Sequence, residues 1–200
     1  MNVVLILSDD QGAGLYCGAP LINEGRIYHE PRYVTEVITE NALIFLKGQA
    51  NAERPFYLSI HYTAPHSPWD RANHPPELYD RYFQGCPFGS IPVEPMHSWQ
   101  INTAHYGEGE RRRELLSGYF TAVTAMDSVV GRILKALEIM LLVGKYRLSG
   151  THIHDANVVA ALSAHGLSKL VTENQGDFSL FSEVETVGLS DIYKRITSSS

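Results

Sequence analysis

Asn2-Val3-Val4-Leu5-Ile6-Leu7-Ser8-Asp9-Asp10-Gln11-Gly12 is the stretch that decides the fold. Its centre, Val3 to Leu7, is continuous, apolar and rich in β-branched side chains, the pattern of a short buried strand in a parallel sheet. The run stops on polar side chains and then Gly12, which permits a tight turn. In an open α/β sheet, ligands sit at the carboxyl ends of the strands. The adjacent carboxylates of Asp9 and Asp10 therefore stand where chemistry is expected, although an Asp-Asp pair before glycine is also ordinary turn composition.

Working outward, residues 12 to 33 carry glycines, prolines and no clear period, and read as loop. Thr35 to about Ala50 is an expected helix with Thr35 as N-cap, its stripe running through Ile38, Ala42, Phe45, Leu46 and Gln49. Phe56 to Tyr62 alternates and is rich in strand formers, and ends in the proline turn Thr63 to Trp69. Residues 70 to 107, with prolines at 75, 76, 87, 92 and 95, read as a long irregular excursion, which in a compact domain is functional or poorly ordered. Glu110 to Glu138 is the clearest helix, with an apolar seam at Leu115, Tyr119, Val123, Met126, Val130, Ile133 and Leu137. After a weak boundary at Leu148 to Gly150, Asp155 to His165 reads as a helix stopped by Gly166. Leu167 to Thr172 reads as a strand and Thr186 to Ser200 as a weakly ordered tail. Strands and helices in alternation argue α/β.

Composition narrows the function. The 200 residues are 44% hydrophobic and 19% charged, which suits a soluble globular chain with a real core. A net charge of −6 argues against a general electrostatic grip on nucleic acid or on an anionic membrane. The densest basic run, Arg111-Arg112-Arg113, opens a helix, where cations oppose the dipole, and reads as a solvated face. Two cysteines, Cys17 and Cys86, make no disulfide framework and read as reduced thiols. The apolar runs at Val3 to Leu7 and Ile139 to Val143 are too short to span a membrane, and no signal peptide is recognisable, so a cytoplasmic location is expected.

The opening stretch resembles the first strand of the sulfatase family, and further segments agree with it in the family's order. They are Tyr33-Val34-Thr35-Glu36-Val37-Ile38-Thr39-Glu40-Asn41-Ala42, then Pro55-Phe56-Tyr57-Leu58 with Ala64-Pro65-His66-Ser67-Pro68-Trp69. The last is Gly118-Tyr119-Phe120-Thr121-Ala122-Val123-Thr124-Ala125-Met126-Asp127 running into Val130-Gly131-Arg132-Ile133-Leu134. The resemblance implies that Asp9 and Asp10 match a calcium-binding pair, hard oxygen ligands for the ion that neutralises a substrate sulfate. It implies that His66 matches the histidine that hydrogen-bonds the sulfate group. Read without the family, a histidine in a proline turn is an exposed side chain. The implied partner is a sulfate ester, as a small molecule or a glycan.

The departures from the family matter as much. A sulfatase needs Cys-x-Pro-x-Arg or Ser-x-Pro-x-Arg, whose first residue becomes the formylglycine that attacks sulfur, and no such segment occurs in this sequence. Cys17-Gly18-Ala19-Pro20-Leu21 has alanine where proline is needed and leucine where arginine is needed. Its cysteine instead fits one that commonly follows the Asp-Asp strand. The stretch from Gly12 to Tyr33 is much shorter than the family's, and the later Asp-Asn calcium ligands are missing, because the resemblance stops near Glu138. Two carboxylates are a partial calcium site, since that ion takes six to eight oxygens.

Gly150-Thr151-His152-Ile153-His154-Asp155-Ala156-Asn157-Val158-Val159-Ala160-Ala161, continuing to Phe178, resembles the C-terminal half of a PIN-domain ribonuclease of the toxin–antitoxin type. That resemblance implies magnesium at Asp155 and Asp177, with Asn174 near another polar ligand position. Asp155 is equally a favourable first-turn helix residue. The family's first acid and its middle-helix glutamate have no recognisable counterpart. The expected fold is thus α/β: an incomplete sulfatase-like (alkaline-phosphatase-like) parallel sheet flanked by helices over residues 1–138, a junction at 139–149, and a small PIN-like segment at 150–200. Three functional readings stand together: a sulfatase-family protein without catalytic activity, a magnesium-dependent ribonuclease remnant, or a non-catalytic fusion product. An incomplete core also leaves apolar surface uncovered, so self-association is expected, with the Tyr119 to Leu137 seam as the shared surface.

Overall fold

The computed structural model describes residues 2–8, 16–50, 54–93, 98 and 107–198. Contacts divide the chain into two compact units, Met1–Phe45 with Glu53–Val130, and Leu46–Ala52 with Gly131–Ser200.

In the first unit, β1 (Val3–Leu7) pairs in parallel with β4 (Tyr57–His61), Val3 opposite Tyr57 and Leu7 opposite His61. The Tyr62 N–H extends the ladder by donating to the Leu7 carbonyl at 2.9 Å. Both strands thus end at the same edge of the pair. The expected burial of β1 is only half met, because Val3, Leu5 and Leu7 each remain 39% exposed. Among the described residues this sheet has two strands, so no neighbour covers the outer edge of β1.

The stretch read as loop contains an antiparallel hairpin, β2 (Ala19–Asn23) and β3 (Arg26–Glu30). Its two-residue turn, Glu24 and Gly25, has φ of 48° and 79°. Two left-handed residues match the twist of a hairpin, and Glu-Gly is a weaker signal for that turn than Asn-Gly. The helix α1 (Val34–Gln49) starts one residue ahead of the expected cap. The Tyr33 carbonyl accepts the N–H groups of Glu36 and Val37, so Tyr33 opens the helix and Thr35 lies buried in its first turn. Thr39 donates to the Thr35 carbonyl at 2.8 Å, which leaves Tyr62 to donate to the Thr39 hydroxyl at 2.7 Å. That bond fastens the end of β4 to α1.

The excursion after Trp69 is also more ordered than its prolines suggest, with a single 3-10 turn at Arg71–Asn73 and α2 (Pro76–Gly85). Pro76 occupies the first helical position, where a missing N–H costs nothing. Tyr79 donates to the Glu114 carbonyl at 3.1 Å, and the Tyr82 and Thr124 hydroxyls lie 2.6 Å apart. These bonds tie α2 to α3 (Gly109–Tyr146), a continuous 38-residue helix that outruns its expected end at Glu138. Its buried positions include Leu115, Ser117, Thr121, Ala122, Val129, Ile133 and Leu142, whereas Tyr119 is 39% exposed. Leu115 and Ile133 of the expected seam are buried and Val123, Met126, Val130 and Leu137 half-buried, so the buried face is wider than the seam and takes in small residues beside it.

The second unit holds the end of α3 together with α4 (His152–Ala164), β5 (Lys169–Val171), α5 (Gln175–Phe178), β6 (Glu185–Val187) and α6 (Leu189–Ser198). β5 and β6 are parallel. Leu142, Ala156, Val159, Ala160, Phe178 and Phe181 form its core, with Tyr146 edge-on to Phe181 at 5.2 Å. Gly166, at φ 65°, ends α4 as expected. Its N–H reaches the Ser163 carbonyl and that of Leu167 reaches Leu162, the two bonds of a Schellman cap. The tail expected to be weakly ordered instead forms β6 and α6, because Thr172 N–H and Val187 C=O continue the parallel ladder at 3.0 Å. Among the described residues no helix is long and apolar enough to cross a membrane.

Candidate functional site

The loop after β4 carries His66, and its geometry follows from how the chain is pinned on both sides. His66 N–H turns back to the Thr63 carbonyl at 2.9 Å. The Tyr16 hydroxyl donates to the carbonyl of His66 at 2.5 Å. Trp69 Nε1–H donates to the Pro65 carbonyl at 2.8 Å, and His74 Nε2–H to that of Pro68 at 3.1 Å. On α3 the loop meets Gly118, where a Cβ would stand 1.9 Å from the Trp69 carbonyl oxygen and 2.6 Å from its carbon. Only a residue without a side chain lets the loop backbone lie this close to the helix. Arg111 closes the far end of the loop with a 2.8 Å bond to Asp70.

The His66 ring is half-buried, and its Nδ1 lies 3.0 Å from the Ser67 carbonyl oxygen. A carbonyl only accepts, so Nδ1 carries the proton and Nε2 is the nitrogen available to a ligand. Beneath the loop, Tyr16 is 1% exposed, stacked on Tyr33 at 5.3 Å and tilted against His74 at 4.9 Å. His74 is 3% exposed and also stacks on Tyr79. Because its Nε2 donates to Pro68, its Nδ1 is a bare acceptor, buried without a partner among the described residues. Burial holds the His74 pKa down to about 4, against a weaker opposing pull from its bond to Pro68 and from Asp70.

A cavity of about 510 Å³ opens beside the loop, between α2 and the start of α3. Arg71 grips Asp80 through two 2.6 Å bonds, and Arg111 bridges Asp70 and Glu114 at 2.8 and 2.9 Å. The Asp80 carboxyl is held below its ordinary pKa by Arg71, and both arginines are held above theirs by their carboxylates. Three carboxylates face two guanidinium groups there, so a further anion gains little.

Of the other sequence candidates, Asp9 and Asp10 lie outside the described residues. Asp155 sits in the first turn of α4 with His152 Nδ1 at 3.4 Å, and Asp177 in α5 accepts from Asn174. Among the described residues no group of three or more His, Cys, Asp or Glu is arranged to hold a metal. Cys17 and Cys86 are free thiols, and burial pushes the Cys17 pKa up, opposite to an activated nucleophile. Sequence reading missed Tyr16, His74 and the role of Gly118. Only Gly118 had a signal, being a glycine inside a strong helical pattern.

The sequence-family model for Sulfatase matches residues 16–140, a span that includes the His66 loop and begins after Asp9 and Asp10. No curated protein matches the chain. Similar solved structures include yidJ from Bacteroides fragilis, named as a candidate sulfatase, at 21% identity and TM-score 0.43, covering 60% of this chain and 24% of that one. A Bacteroides thetaiotaomicron protein labelled 4S-sulf, from work on glycosaminoglycan metabolism, shows 23% identity and TM-score 0.43, covering 57% and 22%. BT4656, in complex with its substrate D-glucosamine-2-N,6-O-disulfate, shows 16% identity and TM-score 0.41, covering 68% and 44%. This chain thus spans less than half the length of each. TM-scores this low do not carry an assignment, which rests on the sequence match across more than half of the residues. On that match, the chain belongs to the sulfatase family.

Proposed function

We propose that this chain holds a sulfate ester through the His66 loop and does not cleave it. The observation that carries the reading is the placement of His66. Its loop leaves the carboxyl edge of the β1–β4 pair, with one imidazole nitrogen engaged by Ser67 and the other available. To donate a hydrogen bond to a sulfate oxygen, Nε2 must be protonated too, which makes the bound ring an imidazolium and adds a charge opposite to that of the sulfate. Hydrolysis further requires a nucleophile that attacks sulfur and displaces the alcohol. No Cys-x-Pro-x-Arg or Ser-x-Pro-x-Arg segment supplies it, and Cys17 is in neither context. The ligand class is a sulfated sugar or a small sulfate ester. Calcium at Asp9 and Asp10 would neutralise the sulfate charge if further oxygens joined them, and nothing in the proposal depends on it.

The test is a titration of inorganic sulfate and of a sulfated monosaccharide, followed through the His66 ring signals by NMR, beside an assay for phenol release from an aryl sulfate. Saturable His66 shifts, abolished in His66→Ala, with no phenol release, are expected. Phenol release by the purified chain above that of a His66→Ala control would refute the non-catalytic reading. Unmoved His66 signals would refute the binding reading. The alternative, a magnesium-dependent nuclease remnant at residues 150–200, requires RNA cleavage that needs magnesium and is lost in Asp155→Ala. Such cleavage would displace sulfate binding as the chain's function.

A further inference from the structure

We propose that Tyr16 and His74 are positioning residues for His66, a buried bracket that fixes which imidazole nitrogen the loop offers. The inference rests on the reading of His66 as the sulfate-facing group. The two anchors grip carbonyls on either side of Ser67: Tyr16 holds that of His66 at 2.5 Å, and His74 holds that of Pro68 at 3.1 Å. Between them, the Ser67 carbonyl accepts His66 Nδ1–H at 3.0 Å. Fixing both flanking carbonyls orients the middle one, and its bond to Nδ1–H turns the ring so that Nε2 faces outward, in the neutral ring and in the imidazolium alike. Nδ1–H is committed, so Nε2 is the nitrogen that meets a ligand.

The anchors themselves have little freedom. Tyr16 is 1% exposed and lies against Tyr33 and His74, while His74 is 3% exposed and packs against Tyr16, Tyr33 and Tyr79. Asp70, paired with Arg111, is the charge that bears on His74. A packing role alone is met better by phenylalanine than by a histidine whose Nδ1 is buried without a partner among the described residues. What histidine adds at this position is an N–H aimed at Pro68.

The test uses the full chain and two readouts, the ¹⁵N shifts of the His66 ring, which report its tautomer, and the affinity for inorganic sulfate. Tyr16→Phe keeps the ring and removes only the hydroxyl. It is expected to mix the His66 tautomers and to weaken sulfate binding about five- to tenfold, the loss of roughly one hydrogen bond's worth of placement. A variant that keeps its melting temperature, the wild-type tautomer and wild-type affinity would overturn the proposal. If Tyr16→Phe fails to fold, His74→Gln and His74→Leu decide the matter. Gln retains an N–H for Pro68 and should keep the wild-type tautomer, whereas Leu should lose it, and the same result in both would overturn the bracket. His66→Ala separates the two levels. Sulfate affinity that survives this change sinks the reading of His66 itself, while an unperturbed tautomer in Tyr16→Phe sinks only the bracket.

Discussion

Acid should loosen the site through His74 before it reaches the bulk of the carboxylates. The folded chain holds this histidine at about 4, against 6.5 for a free side chain, because desolvation disfavours the imidazolium. Between those values the unfolded chain binds a proton that the folded chain does not, so stability rises with pH across the window. The contribution is complete above about pH 6.5 and is lost as pH falls towards 4. At about 1.4 kcal/mol per tenfold change, stability falls by roughly 2 kcal/mol from pH 7 to pH 5 and by roughly 3 kcal/mol at pH 4. Urea unfolding at pH 7, 6, 5 and 4, for wild type and His74→Gln, isolates this component. The carboxyls of Glu30, Asp80 and Glu183, each held low by a basic partner, also lose stabilisation in acid. They are common to both chains and cancel in the difference. Parallel pH profiles for the two proteins, within about 0.5 kcal/mol, would refute the account of His74 as a neutral, desolvated anchor.

Three further outcomes follow from packing. Gly118→Ala drives a methyl group into the Trp69 backbone and should cost about 2–3 kcal/mol, seen as a melting temperature lower by roughly 4–10 °C. Tyr62→Phe removes the hydroxyl that donates to Thr39, while Thr39 keeps its bond to Thr35. A loss of about 1 kcal/mol in chemical denaturation is expected. Phe181→Ala opens the core of the second unit and should cost about 3–5 kcal/mol, with amide exchange rising in α4 and α5.

What the sequence made legible was the part written in side-chain chemistry that acts locally. Val3 to Leu7 announces a parallel strand, Phe56 to Tyr62 a second, and Gly166 a helix stop, and each stands where expected. The hairpin at residues 19–30 was hidden because Glu24 supplies its left-handed turn position, and glutamate is not a residue that signals one. The helix α2 was hidden because two prolines suggested a break, although the second sits at the one helical position that favours proline. Along α3, Leu115 and Ile133 are buried as the seam suggested, but Tyr119 looked like core and is exposed, while its neighbour Gly118 is where the loop backbone packs. The turn after β4 that carries His66 was legible from its prolines. Tyr16 and His74 were not, since their roles depend on carbonyls 50 and 6 residues away, and no spacing rule encodes such partners.

The 50-residue separation between Tyr16 and His66 also bears on the order in which the molecule takes shape. Arg111 reaches Asp70 across 41 residues, so the loop is clasped by two distant segments, one before it and one after it in the chain. Closing such spans costs entropy that grows slowly with length, and contacts of this kind form after local ones. The helical turns of α4 and its glycine cap draw on neighbours a few residues apart and can consolidate early. On a refolding time course, the segment from Thr63 to Asp70 would remain open to a protease after the helices had formed, and gain protection only once Tyr16 had docked.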